Sequence, residues 1–445
     1  MLRFLLPLFF LLMACGSTAP GTATQNANFS LPNDYPYVQE VSEFQTRDMV
    51  YDPYIRTVRF YPDAPVPEAR QLPPIVSLRQ PETLVLEFDE LGSQVRDYAA
   101  KIIHCNADWT VSRLFATEYL DAYNEFNFFD YDFSLNTKIP YIHYRFALPQ
   151  VRKSGNYVLK VYNEHDEDDL ILTRRFMVYD QRVTIEAERG AISGVRAAND
   201  YQQIDLQVGY QRLPMNAPRR QVSVAIRQND RWDNAITDLS PTAVRDYKQE
   251  LVFQYFNLEN AFLGGNEFRV FDLRSITQFG FHMDSFESFD KKTEVTLLKD
   301  KPRRGWVYNR RFPDQNGRYR VQTMLTNNPD TEGDYAYVTF RLERDRLPEG
   351  KQLYVFGELT DWRLQPEFAL SYDPEQQAYT TRALLKQGYY DYEYVLVDEE
   401  TDKIDEQAIE GSFQRTQNVY DVFVYYRPLG ARADQLVGYR RLNKP

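Results

Sequence analysis

The chain has 445 residues, room for about three domains of ordinary size. Hydrophobic residues make up 43% and charged residues 26%, which excludes a disordered chain, and the net charge of -12 gives no basic field to hold nucleic acid. Aromatics reach 15%, with 33 Tyr and 29 Phe, a skew that favours strands because such side chains fit a pleated, half-buried surface.

The chain starts MLRFLLPLFFLLMA, one arginine followed by an apolar run too short to span a bilayer as a resident helix. Leu12, Met13 and Ala14 then precede Cys15, the order of a bacterial lipoprotein cleavage site. Residues 1–14 are therefore expected to be a lipoprotein signal peptide and Cys15 the acylated first residue of the mature chain. An ordinary secretory signal with a coincidental cysteine is the competing reading. Several acyl chains hold a protein to a membrane where a single one is marginal. Residues 15–47 are small and polar with few large apolar side chains, the composition of a flexible tether of roughly 30 Å reach.

Strand signals then dominate. Over 48–181 they include TLVLEFDEL, in which Leu84, Leu86 and Phe88 alternate with Val85 and Glu87. They also include a hairpin, GNYVLKVYNEHDEDDLILTRRFMVYD, in which Tyr157, Leu159 and Val161 share a face. EYLDAYNEFNFFDYDFSLNT and IPYIHYRFALP read as loop and short strand. Over 182–330 the runs YQQIDLQVGYQR, RQVSVAIRQN, ELVFQYF, EFRVFDLRSI and KTEVTLL continue the style. Over 331–445 come DYAYVTFRLER, QLYVFGELTDW, AYTTRALL, YYDYEYVLVD and VYDVFVYY. Strands without an alternating helix predict an all-β chain of three tandem immunoglobulin-like β-sandwiches, over 48–181, 182–330 and 331–445. An outer-membrane barrel is the rival, but the segments are uneven, prolines interrupt them, and a tether has no use on an integral barrel.

Few passages suggest chemistry. IIHCNADW holds His104, Cys105, Asp108 and Trp109. On a strand His104 and Cys105 point to opposite faces, which parts a nucleophile from its base, and zinc needs about four ligands where three are offered. A buried thiol and a packed tryptophan are the plainer reading. With Cys15 acylated, Cys105 has no disulfide partner in the chain. The acidic run Glu164 to Asp169 lacks the spacing of a calcium loop and sits at a hairpin tip. The basic run Lys291 to Trp306 reads as a solvated loop, with an anionic lipid or acidic partner as the alternative. No motif for phosphate, nucleotide or hydrolytic chemistry occurs, so no catalytic, metal or cofactor residues are assigned and a non-enzymatic protein is expected.

The third unit resembles the early-set immunoglobulin-like modules that bind α-glucans. YVFGELTDW precedes Gly388-Tyr389-Tyr390-Asp391-Tyr392, and Trp362 could stack on a sugar or meet a partner. A wider resemblance covers about 50–440. YIRTVRFY, PPIVSL, LEFDEL, IIHCNADW, SLNT, YIHYRFALP, SGNYVLKVY and RRFMVY, with a closing EGSFQRTQNVYDVFVYYRPLGARADQLVGY, resemble the type IX secretion system plug protein family of Bacteroidetes. The resemblance implies a periplasmic plug that occludes a very large outer-membrane β-barrel translocon when no cargo is engaged. Gly16, Ser17 and Thr18 are not the acidic cluster of a surface-exported lipoprotein, so the anchor is expected in the inner leaflet of the outer membrane. A glycan-binding lipoprotein using Trp362 is the alternative.

Overall fold

The computed structural model describes residues 43–66, 68–190, 192, 199–308 and 313–442. Cys15, the signal peptide and most of the tether lie outside them. No helix among the described residues is long and apolar enough to cross a membrane.

The first sandwich follows the expected alternation. One sheet orders Met49–Val50, Asp166–Tyr179, Gly155–Asn163, Tyr98–Cys105 and Phe126–Asn127, with Ile75–Ser77 parallel to Asp166–Tyr179. The other orders Ile55–Pro62, Leu84–Leu91, Tyr141–Ala147 and Asp130–Phe133. The expected hairpin forms, with Tyr157 opposite Phe176 and Leu159 opposite Arg174. Leu86, Phe88 and Tyr144 from one sheet meet Tyr98, Tyr157, Leu159 and Val161 from the other. Phe88 stacks on Tyr144 at 5.1 Å and meets Tyr98 edge-on at 5.6 Å, geometries that add to area burial. The segment read as a loop before Tyr141 carries the short strands Phe126–Asn127 and Asp130–Phe133.

The other two sandwiches form, but the strand pairing cuts across the boundary expected at 330. Val222–Gln228 pairs along its length with Tyr420–Tyr426, which pairs in turn with Gln435–Leu442. This sheet faces one built from Thr184–Gly190, Tyr201–Gly209, Glu250–Phe253 and Ala243–Arg245, and Ile204, Leu206, Val224, Phe253 and Val422 fill the space between. The third sandwich is inserted between these pieces. Arg269–Asp272, Met283–Ser288 and Thr293–Leu297 join Tyr335–Glu343, Lys351–Phe356, Ala369–Asp373, Ala378–Lys386 and Gly388–Asp398 around Phe271, Val295, Phe340 and Tyr392. The basic run expected to be a loop therefore opens with a strand whose Thr293, Val295 and Leu297 are buried. The physical reason for the shifted boundary is that a buried edge needs a partner wherever the chain can supply one. The last two strands supply it to the second sandwich.

The chain crosses between the second and third sandwiches twice, and the crossings are tied together. The Phe413 N–H donates to Gly265 O at 2.8 Å, and the Gly265 N–H donates to Ser412 Oγ at 3.0 Å. A Cβ at Gly264 would stand 2.1 Å from Phe413 O, so only glycine fits that approach.

Candidate functional site

His104 and Cys105 end the strand Tyr98–Cys105 and point apart. The His104 ring meets Tyr157 edge-on at 4.9 Å inside the first sandwich, and a Cβ at Gly155 would lie 2.4 Å from its Nε2. Burial pushes the imidazole down to about 4, so it stays neutral at pH 7. Cys105 faces the other way into an apolar cluster with Ile75, Trp109, Val158, Met177, Ala225, Phe423, Tyr425 and Leu436. Burial pushes its thiol up to about 12. A neutral buried thiol on the far side of the strand from the histidine is not an activated nucleophile. The turn after it joins the first sandwich to the second. The Ala107 N–H donates to Asp434 Oδ2 at 2.9 Å, Arg427 donates to Asn106 Oδ1 at 2.9 Å, and Trp109 meets Trp232 edge-on at 5.0 Å.

Trp362 is held in a second junction. It adopts φ 54°, its ring meets Phe356 and Phe268 edge-on at 5.6 and 5.9 Å, and the Arg231 guanidinium lies 4.7 Å from the ring centroid. Arg231 extends from the second sandwich and also pairs with Glu406 at 2.7 Å. One ring face that a sugar would use thus carries a guanidinium, and Trp362 joins the third sandwich to the second.

The three sandwiches meet around a charged cavity of about 130 Å³. Arg59, Arg174 and Arg175 enter it from the first, Arg227 and Asp230 from the second, and Arg318, Glu358, Asp361 and Trp362 from the third. A smaller cavity of about 90 Å³ shares Arg174, Tyr319, Glu358 and Asp361 with it. Arg174 pairs with Asp361 at 3.1 Å, Arg318 with Asp230 at 3.3 Å, and Arg227 with Asp230 at 3.1 Å. Arg318 also donates to the Gln71 carbonyl. Burial alone would raise the Asp230 carboxyl, but Arg441, Arg318 and Arg227 hold it well below the usual range. Glu358 goes the other way. Enclosure pushes it up to about 7, Asp230 and Asp361 add to the rise, and Arg318 only partly opposes them.

Beside this cavity the first and third sandwiches share buried charges. Lys386 Nζ donates to Asp89 Oδ2 at 2.6 Å, and both side chains are 1% exposed or less. His143 Nδ1 lies 2.7 Å from Asp89 Oδ1, and the Tyr335 hydroxyl donates to Asp89 Oδ2 at 2.6 Å. Burial would raise the Asp89 carboxyl, but Lys386 and His143 outweigh it and the group is lowered. Arg59 bridges Glu87 at 2.8 Å and Asp330 at 2.6 Å. Glu87, His143 and Asp330 could also hold a metal by spacing, but the Arg59 guanidinium already bridges the two carboxylates. At the acidic hairpin, Asp97 from another loop joins Glu164 and His165 with donor atoms within 4.8 Å of one another.

The first-domain model of the type 9 secretion system plug protein matches residues 55–180. A crystal structure of a hypothetical protein from Parabacteroides merdae is 32% identical and superposes with a TM-score of 0.84, covering 90% of this chain and 100% of that one. The chain belongs to the type IX secretion system plug protein family. Membership places its role in type IX secretion, and the all-β body accords with a structural part in it. A Salmonella alpha-2-macroglobulin mutant overlaps at 11% identity and a TM-score of 0.12, covering 84% of this chain and 23% of that one, which is no likeness of fold. No curated protein matches the chain.

The plug-family match takes in Arg59, Arg70, Asp89, Arg174 and Arg175, all charged groups that the first sandwich brings to the junctions. Sequence reasoning singled out none of these. For Asp89, Arg174 and Arg175 the signal was present in LEFDEL and LILTRRFMVYD, where charges interrupt runs that are apolar on both faces. A charge there must be paired, because burying it alone is costly.

Proposed function

We propose that this protein is a non-enzymatic plug of the type IX secretion translocon, seated at the periplasmic mouth of the outer-membrane barrel when no cargo is engaged. The observation that carries this reading is the way three sandwiches are joined into one body by fully buried contacts, Asp89 with Lys386 on one side and Phe423 with Trp109 and Cys105 on the other. Closing a wide pore needs bulk that does not deform. Interdomain surfaces sealed this way resist the relative motion that is the default for loosely joined domains. Family membership supports the choice of pore. His104 and Cys105 serve packing, and Trp362 serves a junction, which favours occlusion over catalysis or glycan binding.

We further propose that Cys15 carries the lipid anchor in the inner leaflet of the outer membrane, with residues 15–47 as tether. Confinement by a tether raises the effective concentration of plug at the barrel without any new contact. The division we propose for the rest is 48–181 for the first sandwich, with the second split around an inserted third. The test is recovery of the tagged protein from detergent-solubilised outer membranes. Co-recovery of a very large barrel protein, rising when cargo is depleted, is expected. Recovery without any barrel would remove the plug reading.

A further inference from the structure

We propose that the cavity where the three sandwiches meet binds a compact oxyanion, a phosphate or a carboxylate, on Arg175 and Arg59. The argument starts from charge. The lining carries six arginines, Arg59, Arg70, Arg174, Arg175, Arg227 and Arg318, against four carboxylates, Asp48, Asp230, Glu358 and Asp361. Most of these arginines are compensated. Arg59 and Arg70 share Asp330 and Glu87, Arg174 has Asp361, Arg227 has Asp421 and Asp230, and Arg318 has Asp230. Arg175 differs. Among the described residues no carboxylate lies at ion-pair distance from it, and its Nε donates to Thr46 O at 2.7 Å.

Its guanidinium is nonetheless fixed. It lies 4.2 Å from the centroid of the Trp109 ring and 5.7 Å from that of Trp232, so the planar fork is oriented before any ligand arrives. Asp48, which accepts the Arg175 backbone N–H at 2.6 Å, is the acid nearest to compensating it. A second observation points the same way. Among the described residues Arg59 Nε is buried with no hydrogen-bond acceptor, although its Nη2 is doubly paired. An orphan buried donor is costly, and a small turn of the Arg59 fork toward an anion in the cavity would give it an acceptor. A volume of about 130 Å³ admits an ion of a few heavy atoms with water. Guanidinium forks match phosphate and carboxylate oxygens in pairs, which sets the ligand class.

Because the cavity is walled by all three sandwiches, it exists only in the folded protein, and an anion held in it reads as stabilisation. The experiment uses the mature full-length protein. Its unfolding midpoint is followed while inorganic phosphate or, separately, acetate replaces chloride at constant ionic strength. A saturable rise is expected in one or both titrations, and which ion produces it distinguishes phosphate from carboxylate. Arg175→Met keeps an apolar stem between the tryptophans and removes the charge, and it is expected to weaken the apparent affinity at least tenfold. Asp48→Asn removes a competing carboxylate while keeping the acceptor for Arg175, and it is expected to tighten binding severalfold, an independent reading should Arg175→Met fail to fold. Absence of any saturable rise in the wild type, or identical titrations in wild type and the folded variants, would overturn the proposal.

Discussion

The first sandwich is joined to its two neighbours by opposite kinds of chemistry. Against the second it presents Ile75, Cys105, Trp109, Val158 and Met177 to Ala225, Phe423, Tyr425 and Leu436, a seam of apolar and aromatic side chains. Against the third it presents Asp89, Arg59 and Tyr141 to Lys386, Asp330 and Tyr335, a seam of buried charge beside a smaller apolar cluster. The apolar seam contributes by area and tolerates small shifts. The charged seam contributes little net stability, since desolvation offsets most of the attraction, but it is unforgiving about partner and geometry. A body that must keep one shape gains adhesion from the first and alignment from the second.

The largest expected effect breaks the charged seam. Lys386→Ala leaves Asp89 buried without its cation and is expected to cost about 4 kcal/mol in chemical denaturation at pH 7. Phe423→Ala breaks the apolar seam. Phe423 is fully buried and stacks on Trp232 at 5.3 Å, so a cost of about 3 kcal/mol is expected from the lost contacts and the cavity left behind. Acid sharpens the difference. The cost of Lys386→Ala shrinks as pH falls and the stranded Asp89 takes up a proton, while the cost of Phe423→Ala does not follow the titration of any carboxyl at the seam. Denaturation series of both variants between pH 4 and 8 check this.

Two carboxyls on the charged side titrate with opposite sign. Asp89 is lowered in the folded protein, so its contribution is complete above its unfolded value of about 3.9 and is lost as pH falls below it. Glu358 is raised from 4.5 to about 7, so its contribution is complete below about 4.5 and is lost as pH rises towards 7. Glu358→Gln is therefore expected to gain on the wild type across that window by about 3 kcal/mol and to stay level above it, as read from unfolding midpoints against pH. Cys105→Ala makes the smallest change, about 1 kcal/mol from a slightly underfilled seam. In the native wild type Cys105 is expected to resist a thiol reagent until the protein unfolds, since it is fully buried and its thiol is pushed up to about 12.

The period-two pattern made the strands legible, and the residues it aligned do share faces. Ala336, Val338, Phe340 and Leu342 line the third core, as Tyr157, Leu159 and Val161 line the first. It could not say which strand lies beside which. VYDVFVYY at 419–426 reads equally well in either C-terminal sandwich, and only its pairing with Val222–Gln228 assigns it to the second. Alternation fixes a strand's buried face, and its neighbour is set by contacts far away in sequence. The junctions were illegible for a related reason. Lys386 closes an ordinary strand and Asp89 sits in another, 297 residues apart, and neither is unusual until the fold brings them within 2.6 Å. IIHCNADW drew attention because rare residue types stand together, yet its role is to carry Trp109 at φ 65° into the seam with Trp232.

The most direct test of occlusion is electrical. The barrel translocon, isolated without this protein and reconstituted in a planar bilayer, would be measured before and after the protein is added on the periplasmic side. The plug account requires conductance to fall on addition, and the block to weaken with Lys386→Ala, whose sandwiches no longer hold their alignment. Binding to the barrel with conductance unchanged would contradict it.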